Sequence, residues 1–251
     1  MDSWFPADWP AAATVKTAIT TRHGGCSQAP FDNNNLGLHV GDKASDVLAN
    51  RQSLVSSLNL SEQPLWLEQV HGTDVEYAPT AAGTPTADAS YSDQVGRACV
   101  VMTADCLPVL LCNQQGTQVA AAHAGWRGLC NGVLRNTVAT FSASDQLMAY
   151  LGPAIGPEAF EVGPEVLQGF TEKALNERHR AEIEAAFTAA SDGKYRADLY
   201  ALARAELANC GVRDTYGGDH CVYSMPERFY SYRRQPVTGR FASLIWLASH
   251  D

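Results

Sequence analysis

Residues 103–128, TADCLPVLLCNQQGTQVAAAHAGWRG, contain two apolar runs separated by a short polar stretch. Each run carries a metal-binding type of residue at its outer end, Cys106 in the first and His123 in the second. Apolar runs of this length on either side of a polar turn predict a β-hairpin. The midpoint between Cys106 and His123 lies between Gln114 and Gln115, and we predict that the turn is centred there.

This predicted register places Cys106 directly opposite His123. Opposed residues of an antiparallel pair have Cβ atoms about 4.5–5.5 Å apart. A thiolate and an imidazole at that spacing can share one metal ion, or they can form a Cys–His nucleophile pair. A slip of one residue would move the two side chains to opposite faces. The hairpin therefore predicts both a strand register and a site.

The composition is that of a globular protein of 251 residues, with 45% hydrophobic and 18% charged residues. A chain of this length can bury a substantial core, and we predict a single domain over residues 1–251. Its formal net charge of −9 leaves no basic surplus to displace the counterions of a nucleic acid. We therefore expect no nucleic-acid partner.

The cysteine count and the N-terminus predict where the protein works. Seven Cys is an odd number, and their spacing matches no compact disulfide framework. The N-terminal residues MDSWFPADWP include neither a basic leader nor an apolar signal region. No apolar stretch approaches the ~18–20 residues that span a bilayer. We expect a cytoplasmic protein with free thiols and no membrane partner.

Strand-like and helix-like patterns alternate along the chain. Strands are predicted at 15–21, 65–72, 74–77, 97–103, 146–151, 160–162, 220–224, 229–234 and 240–248, and helices at 42–60, 129–141, 164–170, 177–190 and 197–210. No Gly-rich dinucleotide fingerprint is present. Strands at both ends with helices between them predict an α+β fold, in which mixed sheets carry helices on the outside.

His71, Cys106 and His123 form the most plausible metal-binding set in the sequence. Each lies where a predicted strand meets a turn marked by Gly or Pro. Two imidazoles and one thiolate suit Zn²⁺ and leave a fourth position for water or substrate. The alternative is that Cys106 is a small core residue and that both imidazoles bond to backbone carbonyls. The spacing alone leaves both interpretations open.

Four arginines are candidates for binding an anion, because a guanidinium can hold a phosphate through two parallel donors. Arg22 precedes a long polar loop, Arg127 lies at a strand-to-helix turn, and Arg233 and Arg234 are adjacent. The alternative for each is a solvated side chain or a surface ion pair.

Six motifs in a fixed order point to a known family. They are TRHGG…NNLG (21–37), QVHG (69–72), TADCLPVLL (103–111), AAHAGWRG (121–128), GPAIGP…FEVG (152–163) and SYRR…TGR (231–240). In these motifs the chain resembles the YfiH family, also called laccase-domain or multicopper polyphenol oxidase-like proteins. The resemblance extends over nearly the whole chain.

The resemblance implies a fold, a metal and several activities. The implied fold is a four-layer α/β/β/α sandwich similar to that of the cytotoxic-necrotizing-factor hydrolases. The implied metal is zinc at His71, Cys106 and His123. The implied activities are phosphorolysis of adenosine, inosine, guanosine or methylthioadenosine, deamination of adenosine, and amidase editing of UDP-muramoyl-L-Ser precursors of peptidoglycan.

Laccase chemistry does not fit the residues, despite the family's name. A multicopper centre needs many His ligands, commonly in His-x-His pairs, whereas this chain has seven His and no such pair. A single copper ion at the nitrogen and sulfur ligands is the less favoured alternative to zinc.

We therefore expect a zinc-dependent purine nucleoside phosphorylase whose substrates are a purine nucleoside and phosphate. Adenosine deamination comes second and would need a proton shuttle, for which Asp105 and Glu161 are the candidates. Glu161 is also predicted to contact substrate, together with the four arginines above. The rivals are the muramoyl amidase, a metal-free hydrolase that uses Cys106 with His123, and a non-catalytic binding protein.

Overall fold

The computed structural model describes residues 2–249. The helices are α1 Ala44–Ser57, α2 Trp126–Asn131, α3 Val133–Val138, α4 Pro164–Glu172, α5 Glu177–Ala185 and α6 Leu199–Asn209. The strands are β1 Trp4–Phe5, β2 Val15–Thr20, β3 Val75–Tyr77, β4 Ala89–Ser92, β5 Cys99–Thr103, β6 Leu107–Asn113, β7 Val119–Ala124, β8 Leu147–Leu151, β9 Glu161–Val162, β10 Phe187–Ala189, β11 Tyr195–Ala197, β12 Asp214–Gly217 and β13 Phe241–Leu247.

Two sheets carry most of these strands. A four-stranded antiparallel sheet has the order β1-β2-β13-β5, so strands from the two ends of the chain pair with each other. A six-stranded sheet has the order β12-β8-β6-β7-β4-β3 and is parallel only at its two edge pairs. A small sheet of order β10-β11-β9 completes the fold. The edge strand predicted at 160–162 is present as the two-residue strand β9, at the edge of this small sheet.

Alternation along the strands creates three apolar layers. Along β6, Leu110 and Cys112 face β2, β5 and β13 across the interface between the two large sheets. Leu107, Val109 and Leu111 of the same strand face α2 to α6. On the far side of the four-stranded sheet, α1 packs with Trp66. The order is α/β/β/α, as predicted, and the six-stranded sheet is mixed.

The predicted strand at 65–72 was wrong. Leu65 and Glu68 make only isolated bridges to β5 and to residue 86. The side chain of Gln69 replaces the strand, because its amide bonds both backbone groups of Met102 at 2.8 Å. A side chain that satisfies the neighbouring strand leaves the backbone of this segment free to turn.

The predicted strands at 220–224 and 229–234 were also wrong, and Arg234 provides the reason. Its guanidinium donates hydrogen bonds to the carbonyls of Val222, Tyr223 and Phe229 at 2.7–2.9 Å. These carbonyls are the acceptors that a neighbouring strand would otherwise use. The segment therefore folds as turns around the half-buried side chain of Arg234.

Two predicted helices end early. The helix predicted at 129–141 starts at Trp126 and is broken by Gly132, which has a left-handed backbone with φ of 100°. The helix predicted at 177–190 ends at Ala185, since the residues after it pair with β11. Within residues 2–249, no helix is both long enough and apolar enough to cross a membrane.

The central hairpin formed, but its predicted register was wrong. Pro108, rather than Cys106, lies opposite His123. The turn moved because Asn113 closes it, with its side-chain oxygen accepting from the backbone N–H groups of Thr117 and Gln118. The observed partner of His123 is two residues away from the predicted one. Because side chains alternate between the two faces of a sheet with a period of two residues, His123 still lies on the predicted face.

Candidate metal centre

His71, Cys106 and His123 converge at one edge of the six-stranded sheet. One donor atom from each lies within 4.8 Å of the others. His71 follows the Gln69 anchor, Cys106 directly precedes β6, and His123 lies in β7. His71 is exposed, Cys106 half-buried and His123 buried. The cluster therefore opens to solvent on the side of His71.

Asp88 holds the imidazole of His123 through a hydrogen bond to Nδ1. This carboxylate is fully buried, and its Oδ1 accepts a hydrogen bond from Nδ1 of His123 at 2.8 Å. Burial alone would raise the pKa of Asp88, but the bond from His123 and the N–H groups of Gly72 and Val70 lower it below the usual value. An ionised Asp88 accepts only, so Nδ1 carries a proton and Nε2 is the nitrogen that can bind a metal ion.

The same carboxylate also shapes the segment that carries His71. Asp88 accepts from the backbone N–H groups of Val70, His71 and Gly72, at 3.2, 2.9 and 2.6 Å. His71 has a left-handed backbone with φ of 61°, an uncommon conformation for a residue with a side chain. Three N–H groups directed at one buried anion support that conformation, and the imidazole consequently faces Cys106.

Gly125 keeps space free beside the cluster. A Cβ atom at this position would lie 2.8 Å from Cδ2 of His71 and 2.9 Å from Sγ of Cys106. Its φ of −60° suits any residue, so the space, and not the backbone, requires glycine. Gly128 is similar, because a Cβ there would lie 2.9 Å from the carbonyl of Gly72. The glycines of HAGWRG thus let α2 pass close to the His71 segment.

The electrostatics favour a thiolate beside an imidazolium in the metal-free cluster. Burial would raise the pKa of Cys106, but the charge of His123 and bonds to both imidazoles lower it to about 6. Burial would lower the pKa of His123, but Cys106 and Asp88 raise it to about 9. The thiolate is the form that a metal ion binds.

Cys106 and His71 have the spacing of two donors that share one metal ion. In a tetrahedral zinc site the zinc–nitrogen and zinc–sulfur distances are ~2.1 and ~2.3 Å. A nitrogen and a sulfur that bind the same ion therefore lie about 3.5 Å apart. The distance from Sγ of Cys106 to Nε2 of His71 is 3.6 Å. The Asp88–His123 bond has the arrangement in which metal-binding imidazoles are usually held. The residues present therefore suit a bound metal ion.

Asp105, which the sequence suggests as a proton shuttle, directs its carboxylate toward the SYRR segment. It accepts from Oγ of Ser231 at 2.6 Å and from the backbone N–H of Arg233 at 2.7 Å. Its carbonyl accepts from the N–H of Ile155. Burial raises its pKa despite these bonds. Asp105 thus ties Cys106 to two distant segments of the chain.

The arginines predicted to hold an anion are mostly engaged with the protein itself. Arg22 bonds to the carbonyls of Asp32 and Pro226 and to the Asp32 carboxylate, and Arg234 to the three carbonyls described above. Arg233 donates to the carbonyls of Ala159 and Glu161. Arg127 is exposed, with its guanidinium 4.5 Å from the ring centre of Trp126.

Glu161 lies at the rim of a cavity of about 690 Å³ that Arg233 also lines. Its carboxylate pairs with Lys194 at 2.6 Å, and this ion pair lowers the pKa of Glu161. The structure thus brings two of the predicted substrate-binding residues to one cavity. The three residues of the metal cluster are not among those that line it.

Asp88, Gln69 and Gly125 were not singled out from the sequence. Asp88 stands at the end of a loop, where an acidic residue is unremarkable without its neighbours. A usable signal was available for Gly125, because glycine next to a candidate ligand often marks a close approach. Gln69 belongs to QVHG, but nothing in the sequence indicates its partner.

The chain matches the family model described as multi-copper polyphenol oxidoreductase laccase over residues 16–248. It belongs to this laccase-like YfiH family. A relative from Escherichia coli K12, named purine nucleoside phosphorylase YfiH, is 52% identical over 98% of this chain and 100% of its own. A Pseudomonas aeruginosa relative, named purine nucleoside phosphorylase PA4543, is 51% identical over 98% of this chain and 99% of its own.

Solved structures of family members share the fold. The Neisseria meningitidis protein NMB0706 superposes with a TM-score of 0.92 at 49% identity, covering 99% of this chain and 100% of that one. YlmD from Geobacillus stearothermophilus superposes with a TM-score of 0.89 at 30% identity, covering 99% and 97%. Within residues 2–249 of this YfiH-family chain, His71, Cys106 and His123 are the one converging set of residues that could hold a metal ion.

Proposed function

We propose that this YfiH-family protein is a zinc-dependent purine nucleoside phosphorylase. It would convert a purine nucleoside and phosphate to the free base and ribose-1-phosphate, with adenosine, inosine, guanosine and methylthioadenosine as the expected substrates. The observation that carries the proposal is the convergence of His71, Cys106 and His123, braced by Asp88, in a chain whose full-length relatives are named purine nucleoside phosphorylases.

The three residues would hold the zinc ion through two nitrogens and one sulfur. Bound zinc supplies a Lewis acid with a position open to a substrate oxygen. Asp88 keeps the proton on Nδ1 of His123, and Gly125 keeps the space beside Cys106 clear. The exposure of His71 leaves the open side accessible to a nucleoside.

Phosphorolysis depends on orientation and on fixed charge. Negative charge is present on the attacking phosphate and develops on the departing purine, so positioned cations lower the barrier. Arg22, Arg127, Arg233 and Arg234 are the cations that the sequence predicts, and Glu161 is the predicted polar contact. All seven cysteines are free, which agrees with the reducing cytoplasm where we propose that the protein works.

The test is a product assay with purified protein, zinc-loaded or chelated, incubated with inosine or adenosine with and without phosphate. Base and ribose-1-phosphate should appear only when phosphate and zinc are both present. Cys106→Ser should abolish turnover. Cys210→Ser, at the end of α6, is the matched control and should keep it. Base release at full rate without phosphate would contradict phosphorolysis, and ammonia from adenosine would indicate deamination.

The second candidate is a metal-free hydrolase that uses the Cys106 thiolate with His123. It is favoured by the pKa of Cys106, which the neighbouring imidazolium lowers to about 6 against the effect of burial. Activity would then survive complete chelation and still disappear in Cys106→Ser. Release of L-Ser from a UDP-muramoyl-L-Ser precursor in the same assay would identify the amidase.

A further inference from the structure

We propose that Arg240 forms an anion subsite beside the metal cluster and takes the oxygens of a phosphate group. This inference deepens the proposed function and rests on it for the role of phosphate. Arg240 lies in the TGR segment and is none of the four arginines that the sequence singled out as phosphate ligands.

The strand register brings Arg240 to the cluster. Phe241, the first residue of β13, lies opposite Thr103 of β5, so Arg240 stands next to the turn that leads to Cys106. Its backbone is held on both sides, since its N–H donates to Oδ1 of Asn35 and its carbonyl accepts from the N–H of Leu36. The residue therefore has a defined place beside the metal cluster.

The side chain is anchored but retains a free edge. Nη1 donates to the carbonyls of Thr238 and Gly239 at 3.1 and 3.0 Å. The aliphatic stem packs so closely on Gly37 that a Cβ there would lie 2.9 Å from Cγ of Arg240. Among the described residues, Nε and Nη2 bond to no acceptor and no carboxylate forms an ion pair with Arg240. Nε and Nη2 form the edge that binds two phosphate oxygens at once.

Burial and the neighbouring groups act on Arg240 in opposite directions. Burial lowers the pKa of Arg240, while the acidic groups Cys106, Asp105 and Tyr232 raise it, which places the guanidinium within electrostatic reach of Cys106. The carboxylate of Asp105 already accepts from Ser231 and Arg233. With a divalent cation in the cluster, the metal would neutralise the Cys106 thiolate, and the partly desolvated guanidinium of Arg240 would lose one of its acidic neighbours.

His39 lies within reach of the same cations. It belongs to the turn Leu38–Val40, and partial burial together with the charges of Arg240, Arg51 and His123 lowers its pKa. Arg51 is committed elsewhere, because its Nε donates to the carbonyl of Leu36 and its guanidinium stacks on Trp66 at 3.7 Å. Of these two arginines, Arg240 is the one whose Nε and Nη2 both remain free to bind an anion.

The test measures binding of inorganic phosphate to the zinc-loaded protein by calorimetry, alongside the KM for phosphate. Arg240→Gln should weaken phosphate binding by roughly 10- to 100-fold, as expected for loss of a charged hydrogen-bonding pair. Arg240→Lys keeps the charge but loses the paired donors, and should weaken binding by about threefold to tenfold. Arg178→Gln, on an exposed face of α5, is the matched control and should bind as the wild type does.

Zinc content and thermal midpoint, measured for every variant, separate loss of the subsite from loss of the fold. If Arg240→Gln does not fold, Arg240→Lys carries the test. A second arm compares adenosine with adenosine 5′-monophosphate. If Arg240 binds free phosphate, the Arg240 variants should change the dissociation constant for inorganic phosphate most. If Arg240 binds a phosphate ester, the variants should change the dissociation constant for adenosine 5′-monophosphate and leave that for adenosine unchanged.

Unchanged affinity for both phosphate and the monophosphate in the Arg240 variants would overturn the inference, and so would absence of phosphate binding in the wild type. Phosphate binding that depends on Arg240 without any phosphorolysis would support the subsite and contradict the proposed function. The two failures are therefore distinguishable.

Discussion

Asp88 lies directly opposite His123 across β4 and β7, and the two residues are joined twice. The N–H of His123 donates to the carbonyl of Asp88 at 2.7 Å, and its Nδ1 donates to the carboxylate at 2.8 Å. The same carboxylate holds the backbone of His71. One buried acid thus orients two of the three candidate metal ligands, which links the β4–β7 pairing to the chemistry of the site.

We first predict that Asp88→Asn weakens zinc binding by about 10- to 100-fold, the usual effect of losing the partner of a metal-binding imidazole. The amide can no longer fix the proton on Nδ1 of His123 by charge. Competition with a chromophoric chelator measures the affinity. Asp214→Asn, at the exposed start of β12, is the control and should match the wild type. Equal affinities for both variants would show that Asp88 does not orient the ligand.

The second prediction concerns the space at Gly125. Gly125→Ala should reduce zinc affinity while the protein stays folded, because its φ of −60° accepts alanine but the new methyl would meet His71 and Cys106. Gly169→Ala, inside α4, is the control. Its methyl would lie 3.7 Å from Sγ of Cys130, and the free energy of unfolding should rise by about 0.5–1 kcal/mol because alanine replaces glycine in a helix. Zinc titration and thermal unfolding check both variants. Unaltered zinc affinity in Gly125→Ala would contradict the steric argument.

The third prediction is that Gln69→Ala lowers the free energy of unfolding by about 2–4 kcal/mol, since two backbone groups of buried Met102 lose their partners. Zinc affinity should fall as well, because Gln69 anchors the segment that leads to His71. Urea unfolding measures the first effect and chelator competition the second. Gln235→Ala, at an exposed position, is the control. A loss below 1 kcal/mol would mean that solvent replaces both bonds.

The fourth prediction is a pH profile for the metal-free protein. Burial raises and the two imidazoles lower the pKa of Cys106, to about 6. Because this pKa is depressed, the thiolate is present above pH 6 and is lost as the pH falls through it. Alkylation of Cys106, followed by mass spectrometry, should therefore rise near pH 6 and level off by neutral pH.

Cys99 and Cys112 serve as internal controls for that profile. Burial raises the pKa of each to about 12, so both should resist alkylation throughout. Added zinc should protect Cys106. A profile centred near pH 9, or labelling that zinc does not suppress, would contradict the proposed cluster.

Much of the fold could be predicted from periodicity. Alternating and continuous apolar runs identified the strands β2, β5, β6, β7, β8 and β13, and helical spacing identified α1, α4 and α6. These patterns succeed because burial of one face imposes a period on the sequence. The failures at 65–72, 220–224 and 229–234 share a cause, since the side chains of Gln69 and Arg234 satisfy distant backbone groups. Such long-range bonds leave no period in the sequence.

The sequence by itself determined the candidate donor set of this protein: one thiol and two imidazoles at strand ends, a hairpin to carry two of them, and free cysteines throughout. Only the tertiary structure decided which residues support that chemistry. Asp88 reaches His123 because β4 pairs with β7, and Arg240 stands next to the turn that leads to Cys106 because β13 pairs with β5. Strand pairing depends on burial and hydrogen bonding between segments far apart in the chain, and no local pattern encodes it.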